Sequence, residues 1–251
     1  MDSIVAALAE QQAELSSLLD PLDDDGWARP SPCAGWSVAD VVLHLVQTNG
    51  MAQASLDDRY DDFLEGMLVG ARLAYDVDDG AAAMVERDRG MPNAELNDRW
   101  RTEAAALTAS FAAADPHRRV QWVVGQLSVR TLTTTRLAET WVHTGDVAEG
   151  LGITLEPSPR LEHIARLAWR TLPYAFERDG RALSGSVAFD LKGPDGSPWR
   201  FTPDDEPATT IRGPGAQLCM VAGRRVDPND TDLVGDGPDA RAVLELVRTY
   251  A

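Results

Sequence analysis

The sequence predicts an α+β chain, helical to about residue 178, with a small α+β domain over residues 179–251. Three observations predict it. Apolar residues recur at helical spacing through the first 178 residues, as in the stripe Leu96, Trp100, Leu107 and Phe111. From Ser186 the period shortens to two, with Val187, Phe189 and Leu191 on one face of an extended segment. A chain of 251 residues with 44% hydrophobic and 25% charged residues can bury a sizeable core, in one large or two small domains.

Each element follows from local pattern. Ile4, Leu8, Leu15, Leu18 and Leu22 give a first amphipathic helix, which Asp23-Asp24-Asp25-Gly26 breaks. A proline-containing loop follows, and Ser37 with Asp40 three residues on forms a variant capping box opening a helix over residues 38–54. Phe63, Met67, Ala71 and Tyr75 form another helical stripe. Breaks at residues 76–80 and 90–92 bracket a short helix. Residues 95–114 form a helix that Asp115-Pro116 ends. A short apolar segment, 120–127, leads into a helix over residues 128–151, closed by Gly150 and Gly152. Residues 161–176 are helical, with Pro173 kinking the helix or ending it early. Residues 186–202 form a hairpin about the turn Pro194-Asp195-Gly196. A strand at 209–212, a helix at 216–224, a strand at Leu233-Val234 and a last helix after Pro238 complete the chain.

Composition excludes some functions. A formal net charge of −17 repels phosphate backbones and acidic lipids, so neither nucleic acid nor membrane is an expected partner. No apolar run approaches the ~20 residues of a membrane span. The start, Met1-Asp2-Ser3-Ile4, carries no basic stretch of an export signal. The two cysteines, Cys33 and Cys219, do not make a disulfide framework. These features together lead to the expectation of a cytoplasmic protein with free thiols. The four histidines, His44, His117, His143 and His163, confine the search for metal ligands.

The chemistry concentrates in Arg136-Leu137-Ala138-Glu139-Thr140-Trp141-Val142-His143-Thr144-Gly145-Asp146. Glu139 and His143 lie one helical turn apart on one face, where a carboxylate and an imidazole can share a metal ion. A surface pair supporting the helix has the same spacing. Asp146 falls near the same face, either as an acceptor orienting a histidine or as a residue facing solvent near the helix end. His44 sits among Val41, Val42, Leu43 and Leu45, as a hydrogen-bonded core residue or as a ligand meeting Glu139 and His143 across a bundle. Cys33, with no histidine near it in sequence, reads as a small buried residue rather than a nucleophile. Trp36 and Trp141 read as bundle core.

The segment Pro30-Ser31-Pro32-Cys33-Ala34-Gly35-Trp36-Ser37-Val38-Ala39-Asp40-Val41-Val42-Leu43-His44-Leu45 resembles the N-terminal signature of the mycothiol-dependent maleylpyruvate isomerase family. Residues 136–143, followed by Asp146, resemble that family's second metal segment. The similarity is greatest to an uncharacterised actinobacterial metal-binding branch. The resemblance implies a DinB/YfiT-like four-helix bundle followed by a small sterol-carrier-protein-like α+β domain. It also implies a divalent metal, typically zinc, on His44, Glu139 and His143. Gly223-Arg224 matches a family segment with a functional arginine, which implies that Arg224 pairs with a substrate carboxylate; a surface arginine at a helix C-terminus is the alternative. His117, after Asp115-Pro116 and beside Arg118-Arg119, reads as a surface loop residue, and His163 lies in the helix over residues 161–176, so neither is expected as a ligand.

Three functions follow from that resemblance. The first is a zinc enzyme that activates a low-molecular-weight thiol, mycothiol, against a small carboxylate or conjugated carbonyl substrate, giving isomerisation or S-transfer. The second is a thiol-independent hydrolase, lyase or cyclase. The third is a non-catalytic, metal-stabilised binding protein. The chain is expected to be a monomer or homodimer.

Overall fold

A computed structural model describes residues 1–68 and 77–249. The chain divides into two units, Met1–Leu155 and Glu156–Ala251. The first comprises α1 (Asp2–Leu19), α2 (Asp24–Trp27), α3 (Val38–Leu56), α4 (Tyr60–Leu68), α5 (Val77–Asp88), α6 (Asn93–Ala113), β1 (Arg119–Trp122), β2 (Gly125–Ser128) and α7 (Val129–Leu151).

Four of these form a bundle. α1 packs on α6 and α7, and α3 packs on the same two helices. The core includes Leu15 and Leu19 of α1, Val41, Val42, Leu45 and Val46 of α3, Leu96 and Trp100 of α6, and Val147 of α7. α3 is buried nearly all round, so its polar side chains His44, Gln47 and Asn49 are interior by position. Its start is set by the capping box: Ser37 accepts from the Asp40 backbone N–H, and the Asp40 carboxylate accepts from the Ser37 N–H. α7 is capped by the Ser128 side chain and stopped by Gly152, which adopts φ +74°.

The loop from α2 to α3 packs against the end of α7. A β-carbon at Gly150 would lie 2.8 Å from the Pro30 carbonyl oxygen, so this approach requires glycine. Several local features depart from expectation. The acidic break carries the short helix α2, capped by Asp23, because an aspartate before two more acidic residues suits a helix N-terminus. The apolar segment at 120–127 is an antiparallel hairpin, with Val120 opposite Leu127. α5 begins at Val77, so Gly80 lies inside it. Of the stripe through Tyr75, α4 contains Phe63 and Met67, whereas Ala71 and Tyr75 lie outside the described residues.

The second unit comprises α8 (Leu161–Arg170), α9 (Leu172–Arg178), β3 (Val187–Lys192), β4 (Pro198–Phe201), β5 (Thr209–Pro214), α10 (Gly215–Ala222), β6 (Val234–Asp236) and α11 (Ala240–Leu246). Its sheet has the order β4-β3-β5-β6. β3 and β5 are parallel, and the other pairs are antiparallel. The architecture is therefore α+β. The sequence reading divided the chain at residue 178, whereas the structure divides after Leu155. The reason is packing: α8 lies against α10 and β4, and α9 against α11. Leu161, Ile164, Ala165, Leu167 and Ala168 bury the apolar side of α8. The helix breaks at Thr171 and resumes with Pro173 in the first turn of α9.

Candidate metal centre

α3 and α7 bring three ligand-type side chains together from 95 residues apart in sequence, His44 on one helix and Glu139 and His143 on the other. His44 Nε2 lies 3.7 Å from Glu139 Oε2, and His143 Nε2 lies 3.6 Å from the same oxygen. The imidazole rings meet edge to face with centroids 4.9 Å apart. These spacings exceed an ordinary N–H···O hydrogen bond. They are close to the ~3.4 Å that separates two ligands each about 2.1 Å from one tetrahedral ion. Two imidazoles and a carboxylate are moreover a common catalytic zinc set. The three residues thus fit a divalent cation in donor type, number and spacing. The Glu139 side chain is 22% exposed, so the cluster is not sealed.

A second layer of contacts surrounds the triad. Asp146 is buried, and its Oδ2 lies 2.8 Å from His143 Nδ1. Facing a carboxylate oxygen, Nδ1 carries the hydrogen, which leaves Nε2 as the ligand atom of the neutral ring. The Cys33 thiol donates to the same Oδ2 over 3.2 Å. Trp36 is partly buried at the edge of the core, and its ring stands 5.2 Å from that of His44. Trp141 is also only partly buried. Arg136, three residues before Glu139, is completely buried and donates from Nη2 to Asn49 Oδ1 over 3.0 Å.

The electrostatics follow from this crowding. Burial pushes the Glu139 carboxyl upward, but His143, His44 and Arg136 outweigh it and hold it well below the usual carboxylate range. Burial lowers His44 and prevails over the pull of Glu139. Burial also lowers His143, but Asp146, Cys33 and Glu139 together hold it well above its ordinary value. Arg136 is pushed down to about 10 by burial and stays charged at neutral pH. In the metal-free protein an ionised Glu139 therefore faces a protonated His143.

Of the residues singled out by sequence, the structure gathers His44, Glu139, His143 and Asp146 in the first unit. Arg224 belongs to the second unit, at the residue after Gly223, which caps α10. It is exposed, adopts φ +59°, and donates from Nη1 to the Glu245 carbonyl oxygen over 3.0 Å. His117 lies on an exposed turn and His163 on α8. Sequence reasoning missed the part Cys33 plays here. The thiol is partly exposed rather than buried, and its polar partner lies 113 residues away, beyond the reach of any local motif. Arg136 was missed too, although an arginine in a segment of otherwise interior residues was a signal for it.

Comparisons with known proteins agree with this architecture. A family model described as the mycothiol maleylpyruvate isomerase N-terminal domain matches residues 8–148, which include every residue of the triad. Over 249 residues the chain is 31% identical to the uncharacterized proteins MT0041 and Rv0036c of Mycobacterium tuberculosis strains CDC 1551 / Oshkosh and ATCC 25618 / H37Rv, covering 98% of this chain and 95% of each relative. Crystal structures of mycothiol-dependent maleylpyruvate isomerase and of a histidine-to-alanine mutant of it match with TM-scores of 0.61 and 0.60. Each match covers 95% of both chains at 15% identity, a likeness of fold. Because the family model spans more than half of its length, the chain belongs to the mycothiol maleylpyruvate isomerase family.

Proposed function

We propose that the protein is a metal-dependent enzyme, with zinc on His44, Glu139 and His143, that uses mycothiol against a small unsaturated carboxylate or conjugated carbonyl compound. The convergence of two imidazoles and one carboxylate from α3 and α7 carries this reading. A bound divalent cation would supply a Lewis-acid position that lowers the pKa of a thiol enough to give thiolate at neutral pH. The chain's own residues do the rest. Glu139 contributes the one ligand charge. Asp146 keeps the Nδ1 hydrogen of His143 in place and so presents Nε2. The Trp36 ring stands 5.2 Å from that of His44 and borders it on one side.

Addition of the thiol sulfur to a conjugated double bond, rotation about the resulting single bond and elimination of the thiol would isomerise a cis-configured dicarboxylate. Retention of the adduct would amount to S-transfer. Arg224 enters this reading as the group for a substrate carboxylate, on the strength of the Gly223-Arg224 resemblance. Its replacement by lysine is expected to raise KM several-fold and leave metal content unchanged.

The test begins with the metal. The purified protein should hold about one zinc per chain, removable by chelator and absent from His44→Ala and His143→Ala. Isomerisation of a maleylpyruvate-type substrate should then require both zinc and mycothiol. A protein that takes up no divalent metal ends the reading. Turnover that continues without any thiol would replace it with hydrolase, lyase or cyclase chemistry at the same residues.

A further inference from the structure

Asp146 Oδ2 accepts from two sides at once. His143 Nδ1 reaches it from one turn back on α7, and Cys33 Sγ reaches it from the loop between α2 and α3. That loop is built to hold its shape. The Ser31 N–H donates to the Trp36 carbonyl oxygen over 2.9 Å, and the Trp36 N–H to the Cys33 carbonyl oxygen over 2.9 Å. The Ser31 hydroxyl accepts from the Cys33 N–H over 3.2 Å. Gly35 turns the chain at φ +78°, and Pro30 bridges to Ser37 at the loop's mouth. Gly150 lets Pro30 approach the backbone of α7. The assembly delivers one thiol to one buried carboxylate.

Oxygen lone pairs explain why this delivery matters. A buried carboxylate turns about its own bond less freely with each donor that reaches it, and a donor from a different chain segment ties it to that segment as well. Asp146 in turn sets the rotation of the His143 ring. Resting on the metal-site reading above, we propose that Cys33 is a positioning residue of the metal centre: its thiol hydrogen bond fixes the Asp146 carboxylate, which fixes His143 with Nε2 toward Glu139 and His44. Cys33 thereby acts on the site through two hydrogen bonds and needs no bond to the metal.

The experiment is a zinc titration against a competing chelator, with Cys33→Ala and Cys33→Ser beside the wild type. Partners of ligand histidines typically contribute 10- to 100-fold to metal affinity. A thiol is a weaker donor than most such partners. Cys33→Ala is therefore expected to bind zinc about five- to tenfold more weakly, while Cys33→Ser, which keeps a donor, stays within about twofold of wild type. A packing role would make the two variants lose affinity alike, or not at all, and either result overturns the proposal. If Cys33→Ala does not fold, methylthiolation of the folded wild type removes the S–H with little added bulk. Cys219 is fully buried and its thiol is raised by burial beyond reach of the reagent, so Cys33 reacts alone. Unchanged zinc affinity after that modification would also refute the inference. A wild-type protein that binds no zinc sinks the metal-site reading itself, which keeps the two failures apart.

Discussion

Glu139 lies between two imidazoles of opposite electrostatic fate, and that gives the metal-free protein a definite pH signature. The folded pKa of Glu139 lies well below the ordinary carboxylate value of 4.5, so its stabilisation is present above about 4.5 and is lost as pH falls through the folded value. The folded pKa of His143 lies well above 6.5, so its contribution is complete below about 6.5 and is lost as pH rises through the folded value. His44 is held below 6.5, so folding opposes its protonation and stability declines as pH drops below about 6.5. Glu139→Gln removes one of the two carboxylate partners of the His143 imidazolium, leaving Asp146. Urea unfolding of the metal-free variant should show the largest loss near pH 6, shrinking as pH rises past the folded pKa of His143. A loss independent of pH would contradict the assignment. Zinc must displace the His143 proton, so calorimetry at pH 7 in two buffers of different ionisation heat should report release of about one proton. Affinity should rise with pH over the range above 6.5 in which His143 still holds its proton.

At the level of elements, α3 and α7 matter most, and their ends were legible in the sequence because caps are local. Ser37, Asp40, Ser128 and Gly152 act within a few residues of themselves. Ser37→Ala should cost about 1 kcal/mol in chemical denaturation, by removing one N-terminal acceptor. The hairpin of β1 and β2 was not legible: each strand has four residues, and the turn between them carries no Asn-Gly or Asp-Gly pair. The seat of the loop on α7 was not legible either, since Gly150 read only as a helix stop. Gly150→Ala places a carbon 2.8 Å from a backbone oxygen, and a destabilisation of about 1–3 kcal/mol with weaker zinc binding is expected. Gly66→Ala in α4 meets nothing within 4 Å and should be neutral or stabilising by about 0.5–1 kcal/mol. Equal effects at the two glycines would argue against a tight loop seat.

For the molecule as a whole, every side chain of the candidate centre, Cys33 and Arg136 included, belongs to the unit that ends at Leu155. A fragment of residues 1–155 is therefore expected to bind zinc within a few-fold of the full chain. Loss of zinc binding by a folded fragment would refute this division. No helix among the described residues is long and apolar enough to cross a membrane. The sequence by itself determined the helices α1, α3, α6 and α7 in their order, the switch from period 3.6 to period 2 near residue 186, and the spacing that sets Glu139 and His143 on one helix face. These depend on neighbours a few residues apart, and such short-range physics is written in local order. Only the tertiary structure decided that His44 meets that face, that α8 and α9 belong with the sheet, and that Cys33 shares an oxygen with His143. Those outcomes depend on how helices distant in sequence pack, and packing is settled by the shape and burial of the assembled core rather than by any local segment.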